Sequence, residues 1–107
     1  MERIDALVRV GGSRWQKNGM DRVYFNNLYT WYGLEMEYYN TGNICNAKLD
    51  GEKISNSQAK RLESEIGFGK LWFDVPTGKW MARDLNGRES KIIEHIEAKV
   101  AELVAQA

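Results

Sequence analysis

Few residues in this 107-residue chain could do chemistry by type and spacing. The sole histidine, His95, lies in a helical pattern with Lys91 and Lys99 as its i±4 neighbours. Those are cations, where a general base needs a carboxylate or carbonyl to orient it. A Ser/His/Asp or Cys/His constellation would have to recruit this one imidazole from a solvated face. The sole cysteine, Cys45, excludes an intramolecular disulfide and any multi-thiolate metal shell. Strand alternation sends Cys45 to an inner face beside Ala47, where a thiol packs as a small hydrophobe. Glu35 and Glu37 sit on one polar strand face, about 7 Å apart. A glycosidase pair instead shares a cleft, usually with one carboxyl desolvated, so these two read as a solubilising face.

The glycines fail as a phosphate cradle. Gly11-Gly12-Ser13 leads to another strand, and Gly67-Phe68-Gly69-Lys70 follows a helix, the reverse of the strand–loop–helix order a phosphate loop requires. Asn43 to Asp50 lacks the twelve-residue calcium-loop pattern. No catalytic residue, metal or cofactor is therefore expected, and the chain reads as a non-enzyme.

The aromatics remain. Eight of the twelve lie between Trp15 and Tyr39, a stretch that holds Lys17 and Arg22 and is preceded directly by Arg14. Alternation in Tyr24-Phe25 and Tyr38-Tyr39 forces one ring of each pair outward. Rings beside cations on a strand surface fit three uses: the core of a small domain, a protein interface, or a stacking platform for single-stranded nucleic acid. The candidate partner-binding set is Arg14, Trp15, Lys17, Arg22 and Tyr24.

The elements that must position this set can be read from period and turn chemistry. Ile4, Ala6, Val8 and Val10 alternate and predict a first strand ended by Gly11-Gly12. Asn18-Gly19 between two runs predicts a type I′ hairpin with Lys17 opposite Met20, Gln16 opposite Asp21 and Trp15 opposite Arg22. That register places Trp15 and Arg22 within cation–π reach. Asn26-Asn27 can cap a short helical turn that Gly33 ends. Leu34–Tyr39, Ile44–Leu49 and Glu52–Ile54 form a meander turned by Asn40–Asn43 and Asp50-Gly51, with Lys48 opposite Lys53. Ser55-Asn56-Ser57-Gln58 is a capping box that opens a middle helix, and Gly67 fits its left-handed end. Leu71–Val75 and Lys79–Arg83 form a hairpin around Pro76-Thr77-Gly78. If Val75 faces Lys79 or Trp80, one of Trp72 and Trp80 must leave the apolar face. After Asn86-Gly87, Ile92, Ile93, Ile96, Val100, Leu103 and Val104 share one helical face.

The fold expected is a single α+β domain over residues 1–107, an antiparallel sheet of short hairpin-connected strands packed against a middle and a C-terminal helix. Fifteen Lys and Arg balance fifteen Asp and Glu, which excludes a broad basic face. The zero conceals a local +2 over residues 1–24, with five basic and three acidic groups, and a local −2 over residues 25–50. No apolar run approaches the roughly 18–20 residues of a membrane span, and the N-terminus lacks a signal-peptide core. A cytoplasmic location and no membrane partner are expected. The block Trp15-x-Lys17 to Arg22-Val23-Tyr24-Phe25, with Ile54-Ser55-Asn56-Ser57, resembles small proteins carried by phages and mobile elements. That resemblance names no family, implies no activity, and tilts towards an accessory role. The expectation is a small binding module acting through the first hairpin on a protein partner or a second copy of itself; the alternative is single-stranded nucleic acid at the same hairpin.

Overall fold

A computed structural model describes residues 1–26 and 28–106. In chain order the elements are α1 (Arg3–Arg9), β1 (Ser13–Lys17), β2 (Met20–Tyr24), α2 (Tyr29–Tyr32), β3 (Leu34–Tyr38), β4 (Ile44–Leu49), β5 (Glu52–Lys53), α3 (Asn56–Glu65), β6 (Leu71–Asp74), β7 (Lys79–Ala82) and α4 (Glu89–Ala105). The class is α+β, as expected, with every strand pairing antiparallel. The strands form two sheets, ordered β1-β2-β6-β7 and β3-β4-β5. The residues divide into two compact units: Met1–Asn27 with Phe68–Ala107, and Leu28–Gly67.

In the first unit, the segment expected to be a strand is helix α1. Residues spaced by two also satisfy i, i+4, so Ile4 with Val8 and Ala6 with Val10 fit either period. Burial separates the readings. Leu7, which alternation sent outward, is fully buried, while Val8, which it sent inward, is 42% exposed. Asp5 in the first turn and Arg9 in the last suit the helix dipole. Gly11 takes φ 126°, and the Gly12 N–H donates to the Leu7 carbonyl at 3.0 Å, closing the helix.

Residues of β2, β6 and β7 alternate between two faces of the four-stranded sheet. Val23, Leu71 and Phe73 point to the face covered by α1 and α4 and are buried with Ala6, Leu7, Ile92 and Ile96. Trp80 joins them: its ring centroid lies 5.5 Å from that of Phe25 and 5.4 Å from that of Phe73. Its indole N–H donates to Glu97 of α4 at 2.7 Å, and Arg3 of α1 lies over Phe73 at 4.9 Å. In the β6–β7 hairpin Val75 faces neither Lys79 nor Trp80, because it lies in the turn, which runs over residues 75–78. Asp74 pairs with Lys79 and Phe73 with Trp80. The turn is closed on Asp74, whose carboxylate accepts from the Thr77 hydroxyl at 2.6 Å and whose carbonyl accepts from Gly78 N–H at 2.9 Å.

The second unit holds the meander and the middle helix. Lys48 pairs with Lys53, as Asp50-Gly51 predicts, with φ of 53° and 84° at those two residues. The capping box forms: Gln58 N–H donates to Ser55 Oγ at 3.1 Å, and Ser55 N–H donates to Gln58 Oε1 at 3.1 Å. Asn56 then donates to the Ile44 carbonyl at 3.0 Å, tying α3 to β4. Positive φ falls at Gly69 rather than at Gly67. Gly33 ends α2 with φ 93°, and Asp50 N–H donates to its carbonyl at 2.9 Å. The Asn27 half of the expected cap lies outside the described residues. Cys45 corrects a second expectation, since it is exposed. Glu37 pairs with Asn46 and Tyr38 with Ile44, so Cys45 is the extra residue of a β-bulge and escapes the alternation that would bury it.

Candidate functional site

Alternation and register together place a row of aromatic and basic side chains on the sheet face that α1 and α4 leave open. Ser13, Tyr24, Trp72 and Met81 pair in sequence across the four strands, and so do Trp15, Arg22, Asp74 and Lys79. Directly paired residues point to the same side. Lys17 and Met20 extend the same face at the hairpin tip.

The centre of this face is a stack. Trp72 leaves the helix-covered face yet is only 8% exposed, because arginines lie over it. The Arg22 guanidinium carbon is 4.9 Å from the Trp72 ring centroid, and that of Arg83 is 5.8 Å away. Tyr24 packs at 5.7 Å from Trp72, and Trp15 meets Tyr24 edge-on at 6.3 Å and 73°. Arg22 Nη1 donates to the Tyr24 hydroxyl at 2.8 Å, while its Nε is buried without a hydrogen-bond partner. Trp15 and Arg22 are cross-strand neighbours as expected, but the guanidinium stacks on Trp72.

Around this stack the apolar surface is open. Trp15 is 37% exposed, Met81 45% and Phe68 84%. Trp15, Tyr24, Asn26, Phe68 and Gly69 line a shallow notch of about 350 Å³. Gly69 N–H donates to Asn26 Oδ1 at 3.0 Å, which anchors the Phe68 loop at the notch floor.

Of the five residues singled out from sequence, Trp15, Lys17, Arg22 and Tyr24 share this face. Arg14 does not. It alternates to the opposite side of β1, where Nε and Nη2 bond the two carboxylate oxygens of Asp21 at 3.0 and 2.8 Å. The Arg14 guanidinium holds the Asp21 carboxyl below its ordinary range, and Asp21 in turn raises Arg14. Phe68, Met81 and Arg83 are additional to the sequence-derived set. The one local signal for Phe68 is an aromatic isolated between Gly67 and Gly69. Met81 and Arg83 enter only through long-range pairing of β6 with β2.

The residues weighed for catalysis are open to solvent. His95 is exposed on α4, and Glu35 and Glu37 are exposed on β3. The Tyr39 hydroxyl, hydrogen-bonded to Cys45 at the bulge, is pushed above its ordinary value. A second depression, about 400 Å³, lies in the Leu28–Gly67 unit between Tyr38, Asn43, Asn56, Lys60 and Glu63. Among the described residues, no group of three or more His, Cys, Asp or Glu is placed to hold a metal ion, and no helix is long and apolar enough to cross a membrane. No protein-family model, curated protein or solved structure matches the chain.

Proposed function

We propose that this protein is a non-enzymatic binding module whose open sheet face takes a protein partner. The observation that carries the reading is the exposure of Trp15, Phe68 and Met81 around a core already ordered by Arg22, Tyr24 and Trp72. Aromatic residues, Met and Arg are the types enriched where protein interfaces bury most surface. Rings already held in place lose little conformational freedom on binding, so more of the contact energy appears as affinity. A cytoplasmic accessory role, of the kind carried by phages and mobile elements, is in keeping with the unpaired Cys45 and with the resemblance noted above.

Single-stranded nucleic acid is the second reading, favoured by Lys17, Arg22, Lys79 and Arg83 at the same face. Base stacking needs free ring faces, worth about 1–3 kcal/mol per base. Trp72 has its ring covered by Arg22, which leaves Trp15 and Phe68 as the open rings and favours the protein reading.

The two separate on salt. Phosphate contacts give an affinity that falls steeply with salt, whereas an apolar interface changes little. The test is capture from host extract by the wild type and by a Trp15→Ala/Phe68→Ser variant, beside an oligonucleotide titration at low and high salt. A specific protein retained by the wild type and lost by the folded variant supports the reading. Salt-sensitive oligonucleotide binding without a protein partner replaces it with the second.

A further inference from the structure

The edge of the same sheet carries a separate feature. β1 is an edge strand, and all five of its residues are exposed. Its pairing with β2 is regular over five residue pairs, without a bulge or proline. Proteins usually blunt such an edge, because its unpaired N–H and C=O groups accept another strand.

The outward backbone groups can be identified. Val75 N–H donates to the Asp21 carbonyl and Phe25 N–H to the Leu71 carbonyl. Odd-numbered residues of β2 therefore bond towards β6, and even-numbered ones towards β1. Lys17 with Met20, Trp15 with Arg22 and Ser13 with Tyr24 are the bonded pairs, which agrees with the pair that closes a two-residue type I′ turn. The N–H and C=O of Arg14 and Gln16 thus point away from the sheet.

We infer that β1 pairs antiparallel with β1 of a second copy, about a two-fold axis at Trp15, joining two four-stranded sheets into one of eight. Charge permits a second copy as the occupant, and charge and strand overlap together select the register. Centred on Trp15, Arg14 faces Gln16 of the second copy and Lys17 faces its Ser13, so no like charges stand opposite. Centring on Arg14 would oppose two guanidinium groups, and centring on Gln16 would leave only residues 15–17 of the strands overlapping. Arg14 is the charge that would otherwise guard this edge, and Asp21 of its own chain neutralises it through two hydrogen bonds. The Trp15-centred register forms four backbone hydrogen bonds, two in each Arg14–Gln16 pair. It also brings the two Trp15 side chains together on the open face as a non-hydrogen-bonded pair, the closer of the two pair types. This pairing uses the strand edge and shares Trp15 with the surface offered to a different protein.

Sedimentation velocity of the full chain over a wide concentration range should show a reversible monomer–dimer equilibrium. Gln16→Pro removes an outward N–H without touching the β1–β2 ladder. It should keep the wild-type circular dichroism spectrum and raise the dimer dissociation constant by about tenfold or more, since each dimer loses two hydrogen bonds. In a Cys45→Ser background, Trp15→Cys should form an intermolecular disulfide readily, because residues in a non-hydrogen-bonded pair lie about 4.5 Å apart at Cα. Ser13→Cys and Lys17→Cys, which both retain Trp15, should cross-link chiefly when mixed. A wild type that stays monomeric at every concentration overturns the inference. So does a dimer in which Ser13→Cys and Lys17→Cys each cross-link with themselves as fast as with each other. A monomer that still captures a protein through Trp15 and Phe68 sinks this pairing and leaves the proposed function standing.

Discussion

Arg22 lies over the ring of Trp72 with its guanidinium carbon 4.9 Å from the centroid, and its Nε is buried with no hydrogen-bond partner. The two facts oppose each other energetically. Cation–π contact contributes roughly 0.5–2 kcal/mol, and a buried unsatisfied donor costs roughly 1–3 kcal/mol. The packing of the side chain over the indole is then what Arg22 chiefly supplies to stability, and its charge contributes little net.

Arg22→Met should therefore match or exceed the wild type in stability, while Arg22→Ala, which uncovers the indole, should lose about 1–2 kcal/mol. Trp72→Ala should cost about 3–5 kcal/mol, as a large side chain is removed from a packed site. Urea unfolding followed by far-UV circular dichroism ranks the three. A Met variant as unstable as the Ala variant would show that the guanidinium, through its charge and its bond to the Tyr24 hydroxyl, holds the stack.

The pairing of Trp15 with Arg22 follows from Asn18-Gly19 alone, because two consecutive left-handed residues leave little choice but a type I′ turn, and φ is 54° and 77° there. The capping box at Ser55 and Gln58 is equally local. Where the reading from sequence departs from the structure, a non-local contact or a two-way pattern decides. The apolar residues of α1 fit both helical and strand periods, and packing of Leu7 selects the helix. Cys45 escapes alternation through a bulge set by its partner strand β3. Trp80 falls opposite Phe73 because the turn takes in Val75, whose N–H bonds the Asp21 carbonyl of β2. Four residues of the open face could be found because they share one hairpin; Met81 and Arg83 could not, since β6 must first pair with β2.

Gly12 marks a close approach of backbone to core. A Cβ there would lie 2.4 Å from Val23 Cγ1, 2.8 Å from the Leu7 carbonyl oxygen and 3.1 Å from Phe25 Cζ. Two of those neighbours are fully buried or nearly so, and the third is backbone, so none can easily yield. Gly12→Ala should destabilise by about 1–3 kcal/mol through overpacking. Gly11→Ala, with nothing within 4 Å, isolates the separate cost of its φ of 126°. Thermal melts of the two variants check this; an unchanged Gly12→Ala protein would mean that α1 can move away from β2.

Acid should weaken the protein through Glu97. Its carboxylate accepts from both Arg3 terminal nitrogens and from the Trp80 indole, with Arg3 Nη1 at 2.8 Å from Oε2. The hydrogen bond from Arg3 holds the carboxyl below its ordinary value; partial burial pushes the other way, and the Trp80 N–H adds to the lowering. A folded-state value below the unfolded one means the stabilisation is full above the unfolded carboxylate range, near pH 4.3, and is lost as pH falls through the lower folded value. Asp21, lowered by Arg14, contributes with the same sign. Urea midpoints measured from pH 7 to pH 2.5 should fall in the wild type and fall less in Glu97→Gln. At pH 7 that variant should lose no more than about 1 kcal/mol, because the pair is partly solvated. Identical pH profiles for the two proteins would remove Glu97 from the account.

Phe68 distinguishes a structural aromatic from one presented for contact. The residue is 84% exposed beside the notch of Trp15, Tyr24 and Asn26. A side chain that buries so little on folding should contribute little to stability, so Phe68→Ser should change it by no more than about 0.5 kcal/mol. The same substitution removes one apolar wall of the notch. An apolar reporter dye such as anilinonaphthalene sulfonate, which gains fluorescence on apolar surface, should brighten less with the variant than with the wild type. Met81→Ser, on the same sheet face outside the notch, is the matched control and should leave most of the dye signal. A large loss of stability in Phe68→Ser would instead place this ring in the folded core and remove it from the contact surface.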